Sequence, residues 1–86
     1  MDLQERFELA VEKSNSAKGK DYNISNENLL ELYSLFKQST IGDNNTDKPS
    51  FVYIEKRAKW DAWSSKEGLN DKTSMKLYIK LVETLF

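Results

Sequence analysis

The sequence predicts an all-α fold, one four-helix bundle spanning residues 1–86 as a single domain. Three observations carry that expectation. Apolar residues recur at spacings of three and four along four separate stretches, the single proline lies between two of them, and glycine or a polar capping residue stands at their ends. A chain of 86 residues, 38% of them apolar, can bury one core but not two.

The first helix is expected over residues 2–15, with Asp2 as cap, Glu5 three residues later, and Leu3, Phe7, Ala10, Val11 and Ser14 on one face. "NSAKGKDYN" is polar and without period, which reads as a surface loop. Ser25 then caps a second helix whose apolar stripe is Leu29, Leu32, Tyr33, Phe36 and Thr40, with Leu30, Lys37 and Ile41 beside it. Gly42 supplies the left-handed terminator. After the loop "GDNNTDKPS", the segment "FVYI" has strand propensity but no second strand to pair with, so it is expected as an apolar linker packed on the bundle. A third helix follows over residues 55–66 and stops near Gly68. Asn70 caps the fourth, which carries Met75, Tyr78, Ile79, Val82 and Phe86.

Composition excludes several functions. The chain has no cysteine and no histidine, so it lacks disulfides, thiolate metal ligands, and the commonest metal ligand and general base. Ser39 and Thr40 have no base placed to activate them, and an enzyme is disfavoured. A net charge of −1 gives no general attraction to nucleic acid or to anionic membranes, so any anion site must be local. The N-terminus "MDLQERFELAVEK" is acidic and amphipathic, and no run approaches the ~18 apolar residues of a membrane span, so stable membrane insertion is not expected. A soluble, cytoplasmic monomer is the expectation.

Charge is uneven along this frame. Residues 1–36 hold four basic and seven acidic side chains, residues 37–60 hold five basic and three acidic, and residues 61–86 hold four of each. The basic zone is also aromatic. Tyr33 and Lys37 are four apart on the second helix, while Lys56 and Lys59 accompany Trp60 and Trp63 on the third. Rings stack on a flat base, and ammonium and phenol groups donate to phosphate, so the set suits a ligand carrying both. The same pattern also describes ordinary core: rings at helical spacing are usually buried and lysines beside them usually extend solvated stems. By that account Trp63 and Phe36 are structural, Trp60 is core or ligand platform, Tyr78 satisfies its hydroxyl at the rim, and Lys66, Lys72, Lys76 and Lys80 are solvated.

"LYSLFKQSTIGDNNTDKP" followed by "KRAKWDAW" resembles the acyl-CoA-binding protein family. Its hallmark is Tyr-x-x-(Tyr/Phe)-Lys-Gln with Gly-Asp shortly after, and a later Lys-Trp-x-x-Trp. The similarity extends from about residue 3 to the end. It implies an up-down-down-up four-helix bundle that binds long-chain acyl-CoA esters one to one, as a buffer and carrier, with neither catalysis nor metal nor other cofactor. Tyr33, Lys37 and Lys59 then correspond to a clamp on the 3′-phosphate, Phe36 to a contact near the adenine, Tyr78 to a fourth-helix residue near the nucleotide, and Leu29 and Leu30 to the acyl groove. Trp60 and Trp63 match the paired tryptophans. The sequence departs from the family at Ile24, where a proline is common, and in a longer first loop containing Lys18, Lys20 and Tyr22. Asn15 falls where some members have a phosphate-contacting lysine, leaving Lys13 or Lys18, or neither, in that role. The alternative reading is a protein-interaction module that docks acidic peptides or acyl-transfer enzymes.

Overall fold

A computed structural model describes residues 1–17 and 23–86; Lys18, Lys20 and Tyr22 of the first loop lie outside the described residues. Four helices follow in order: α1 (Leu3–Ala17), α2 (Asn26–Thr40), α3 (Ile54–Ser64) and α4 (Asp71–Leu85). Among the described residues there is no strand.

Each end follows from local chemistry. Asp2 Oδ1 accepts from the Glu5 N–H at 2.8 Å, the Ser25 hydroxyl oxygen from the Asn28 N–H at 3.2 Å, and Asn70 Oδ1 from the Thr73 N–H at 2.7 Å. Helix α1 outruns its expected end because Ala17, three residues beyond Ser14, continues the buried face. Helix α2 stops where the Ile41 and Gly42 N–H groups both turn back to the Lys37 carbonyl. Gly42 takes φ 99°, which a side chain would strain.

The core contains Phe7 and Ala10 from α1, Leu32 and Leu35 from α2, and Met75, Tyr78, Ile79 and Val82 from α4. Helix α4 packs against both α1 and α2, whereas α3 packs on α2. The chain follows the up-down-down-up order. No described helix is long and apolar enough to cross a membrane.

Three expectations change. The buried face of α2 is Leu32, Ser34, Leu35, Gln38 and Ser39, while Leu29 and Thr40 are exposed. An apolar stripe undercounts this face, because α2 lies between two helices and small serines let a neighbour approach on either side. The "FVYI" segment does not pack on the bundle: Phe51, Val52 and Tyr53 form an exposed turn and Ile54 opens α3, itself exposed. Its hydrophobicity is not spent on the core. Lys66 is not a solvated lysine, since its Nζ donates to Glu31 Oε1 at 2.7 Å and its side chain is largely covered.

Candidate functional site

The loop between α2 and α3 is fastened before it can present anything. Asp43 Oδ1 accepts from buried Gln38 Nε2 at 2.7 Å and from the Gly68 N–H at 2.9 Å. Those two donors, Gly68 first, hold the Asp43 carboxyl below the usual carboxylate range. Gln38 Nε2 also reaches the Leu69 carbonyl at 3.0 Å, tying the end of α2 to the start of α4. Asn44 Nδ2 donates to the Trp60 carbonyl at 3.3 Å and to Ser64 Oγ at 3.0 Å. Both indoles point into the same loop: Trp63 Nε1 donates to the Gly42 carbonyl at 2.8 Å and Trp60 Nε1 to the Thr46 carbonyl at 3.0 Å. Together these bonds fix α3 against α2 although α3 adds only Trp63 to the buried set.

On that seam the basic and aromatic residues converge. Lys37 Nζ lies 5.8 Å from the Tyr33 ring centre and 5.4 Å from that of Trp63, while Lys59 Nζ approaches the same Tyr33 ring at 5.5 Å. Tyr33 and Lys37 are one turn apart on α2 and meet Lys59 and Trp63, one turn apart on α3, so the two helices run in the same direction here. Neither ammonium has a carboxylate among the described residues within 4.0 Å, and the Tyr33 hydroxyl has no hydrogen-bond partner among them. Two like charges beside one ring, without a counter-charge, are electrostatically unfavourable unless an anion joins them. Leu29 and Leu30 lie one turn toward the start of α2, exposed and half-buried respectively. They give the cluster an apolar side.

Phe36 and Tyr78 belong to a second cluster. Phe36 stacks on Phe7 at 6.2 Å, Tyr78 meets Phe7 edge-on at 5.2 Å, and the Phe36 and Tyr78 rings are tilted at 6.4 Å. Phe36 is half-buried and Tyr78 is buried, and burial pushes the Tyr78 phenol above its ordinary value despite the Ser14 hydroxyl bonded to it. The structure thus brings Tyr33, Lys37 and Lys59 together and sets Phe36 and Tyr78 apart, in the α1–α2–α4 interior. Sequence reasoning placed Trp63 in the structure and missed that its face also carries Lys37. It also missed Asp43 and Asn44 as loop fasteners, whose only signal was the Gly-Asp of the motif.

A recess of about 350 Å³ at the end of α2, lined by Gln38, Ser39, Asp43 and Asp71 among others, is acidic and polar and does not suit an acyl chain or a phosphate. In the lysine cluster Lys59 is exposed, and Lys37 and Tyr33 are half-buried.

Residues 4–82 match the family model described as acyl CoA binding protein. The chain belongs to the acyl-CoA-binding protein family. It is 47% identical over 85 residues to acyl-CoA-binding domain-containing protein 1 of Oryza sativa subsp. japonica, covering 99% of this chain and 90% of that one. A Ricinus communis acyl-CoA-binding protein is 45% identical over 85 residues, covering 99% and 91%. Among solved structures, the crystal structure of Oryza sativa Acyl-CoA-Binding Protein 2 superposes with a TM-score of 0.89 at 40% identity, covering 98% of this chain and 90% of that one. The family's bundle and the one described above are the same fold.

Proposed function

We propose that this protein binds long-chain acyl-CoA esters one to one and serves as their buffer and carrier in the aqueous phase of the cytoplasm, acting as a monomer. Membership of the family supports the ligand class, and one observation carries the site: two ammonium groups beside the Tyr33 ring, without a carboxylate partner among the described residues. Lys37, Lys59 and the Tyr33 hydroxyl supply three donors for the 3′-phosphate of the nucleotide. Phe36 and Tyr78 act from behind, by holding α2 on α1 and α4, and reach the nucleotide only through their outer edges.

The acyl chain lies along Leu29 and Leu30. Each methylene taken out of water is worth roughly 0.8 kcal/mol, so a shallow strip of surface suffices for affinity without a closed pocket. A surface strip also releases its ligand readily. The protein is a carrier rather than a catalyst by this reading, and neither metal nor cofactor has a part in it. Docking of acidic peptides or acyl-transfer enzymes would use the same cations, but no observation favours it over the family's ligand.

Calorimetric titration with palmitoyl-CoA, free CoA and palmitate tests the proposal. Saturation at one ester per chain, with much weaker binding of both fragments, is the expected result. No heat and no change in tryptophan emission with the ester would remove it.

A further inference from the structure

Trp63 is the one residue that α3 buries, at 4% exposed, and its ring nevertheless faces a charge. The Lys37 ammonium lies 5.4 Å from its centre and 5.8 Å from that of Tyr33, so a single lysine has two rings beside its charge. Among the described residues Lys59 has only Tyr33, at 5.5 Å. A lysine ammonium sits on a flexible four-carbon stem and turns freely in water. Ring faces attract it, and two of them restrict it more than one.

Two rings can hold a cation in place only if they are themselves held. The Trp63 indole N–H donates to the Gly42 carbonyl at 2.8 Å. Gly42 is fixed in turn, because its own N–H reaches back to the Lys37 carbonyl at 3.2 Å and its neighbour Asp43 accepts from Gln38 Nε2 and the Gly68 N–H. The links close on themselves: the Lys37 backbone anchors Gly42, Gly42 anchors the indole, and the indole faces the Lys37 ammonium. Trp60 has no part in this circuit, since it bonds the Thr46 carbonyl and faces Lys48. We propose that Trp63 is a positioning residue of the phosphate site, whose fixed ring holds the Lys37 ammonium ready for the 3′-phosphate. Less side-chain freedom is then lost when the ligand arrives. The role in binding rests on the acyl-CoA reading given above, while the ordering of Lys37 does not.

Proton resonances of the Lys37 ε-methylene read the positioning without ligand, and calorimetry with palmitoyl-CoA and palmitoyl-dephospho-CoA reads its consequence. Both are measured on the wild type, W63L, W63F, K37A and K37A/W63L, with the helicity of each. Ring faces shield nearby protons, so the wild-type Lys37 resonances are expected upfield of those of exposed Lys72 and Lys76, moving back in W63L and partway back in W63F. W63L should reduce the preference for the full ester over the dephospho ester by about three-fold or more, with W63F nearer the wild type. K37A/W63L should lose no more of that preference than K37A, because Trp63 acts through Lys37. A merely structural tryptophan weakens both esters alike and adds its loss to that of K37A, and either result overturns the proposal. So do Lys37 resonances that W63F leaves unmoved, which decide alone if W63L does not fold. A wild type that binds no palmitoyl-CoA overturns the ligand reading instead, and the ligand-free resonances then decide whether Trp63 holds Lys37.

Discussion

Two aromatic clusters share α2, and they use the same residue types for opposite ends. Phe7, Phe36 and Tyr78 close on one another at 5.2 to 6.4 Å in the interior between α1, α2 and α4, with no cation of the described residues on their rings. Tyr33 and Trp63, on the α3 side, instead carry the ammonium groups of Lys37 and Lys59 on their faces. A ring packed on rings gains burial and adds little chemistry, whereas a ring facing lysines keeps charge near the surface and waits for an anion. The first cluster should therefore be felt in stability and the second in binding.

Breaking the closed cluster has the largest effect. Phe7→Ala should lower unfolding free energy by about 3–5 kcal/mol, as truncating a buried ring typically does, and Trp63→Ala should do the same because that indole is buried as well as cation-bearing. For a domain of this size such a loss takes most of the stability, and chemical denaturation would show it as a fall in midpoint. If Trp63→Ala unfolds like the wild type, Trp63 belongs wholly to the open cluster and the division drawn above is misplaced.

Gln38, under the edge of the closed region, comes next. Its amide bonds both Asp43 and the Leu69 carbonyl. Gln38→Ala should cost about 1–3 kcal/mol, since it empties a buried site and removes both bonds that tie the end of α2 to Asp43 and to Leu69. The Asp43 end of this link also sets a pH dependence. A carboxyl held below its ordinary value in the fold stabilises the protein above the unfolded carboxylate value of about 3.9, and that contribution is lost as the pH falls through the lower folded value. Asp43→Asn should flatten the acid limb of stability against pH, and an unchanged limb would mean that Asp43 takes no part in it.

A smaller effect is expected at Glu31 and Lys66. Their 2.7 Å ion pair joins α2 to the turn after α3 but remains partly open to solvent, so a double-mutant cycle should give about 0–1 kcal/mol. A larger coupling would show that the α2–α3 seam is held electrostatically rather than by its indoles and Asn44.

The sequence made the four helices and their caps legible because Ser25, Gly42 and Asn70 each have a single local job. It also placed Phe7, Leu32, Met75, Ile79 and Val82 correctly, since period and burial agree there. Leu35 and Gln38 were not legible as buried residues of α2: a helix between two neighbours buries a wider arc than an apolar stripe marks, and a glutamine enters it only because Asp43 and Leu69 meet its amide. "FVYI" misled in the reverse direction, because hydrophobicity reports a preference to leave water and not where the chain can go. On the site, the motif joined Tyr33, Lys37 and Lys59, and the structure has them around one ring. Phe36 from that motif and Tyr78 from the family's fourth helix read as ligand neighbours; in the structure Tyr78 is buried in the core and Phe36 is half-buried against it.

The smallest effect on stability should come from the open cluster. Lys37→Ala and Lys59→Ala should each stay within about 0.5 kcal/mol of the wild type, because each removes a charge that has ring contacts but no carboxylate partner among the described residues. Their effect belongs to the ligand, and the most direct measurement is calorimetric binding of palmitoyl-CoA and palmitoyl-dephospho-CoA to the wild type and to both variants. A charge-assisted bond to phosphate is worth about 1.5–3 kcal/mol, at about 1.4 kcal/mol for each factor of ten, so each variant should bind the full ester roughly ten-fold or more weakly. With the dephospho ester the variants should differ little from the wild type. Equal losses for both esters, or no loss for either, would contradict the assignment of Lys37 and Lys59 to the 3′-phosphate.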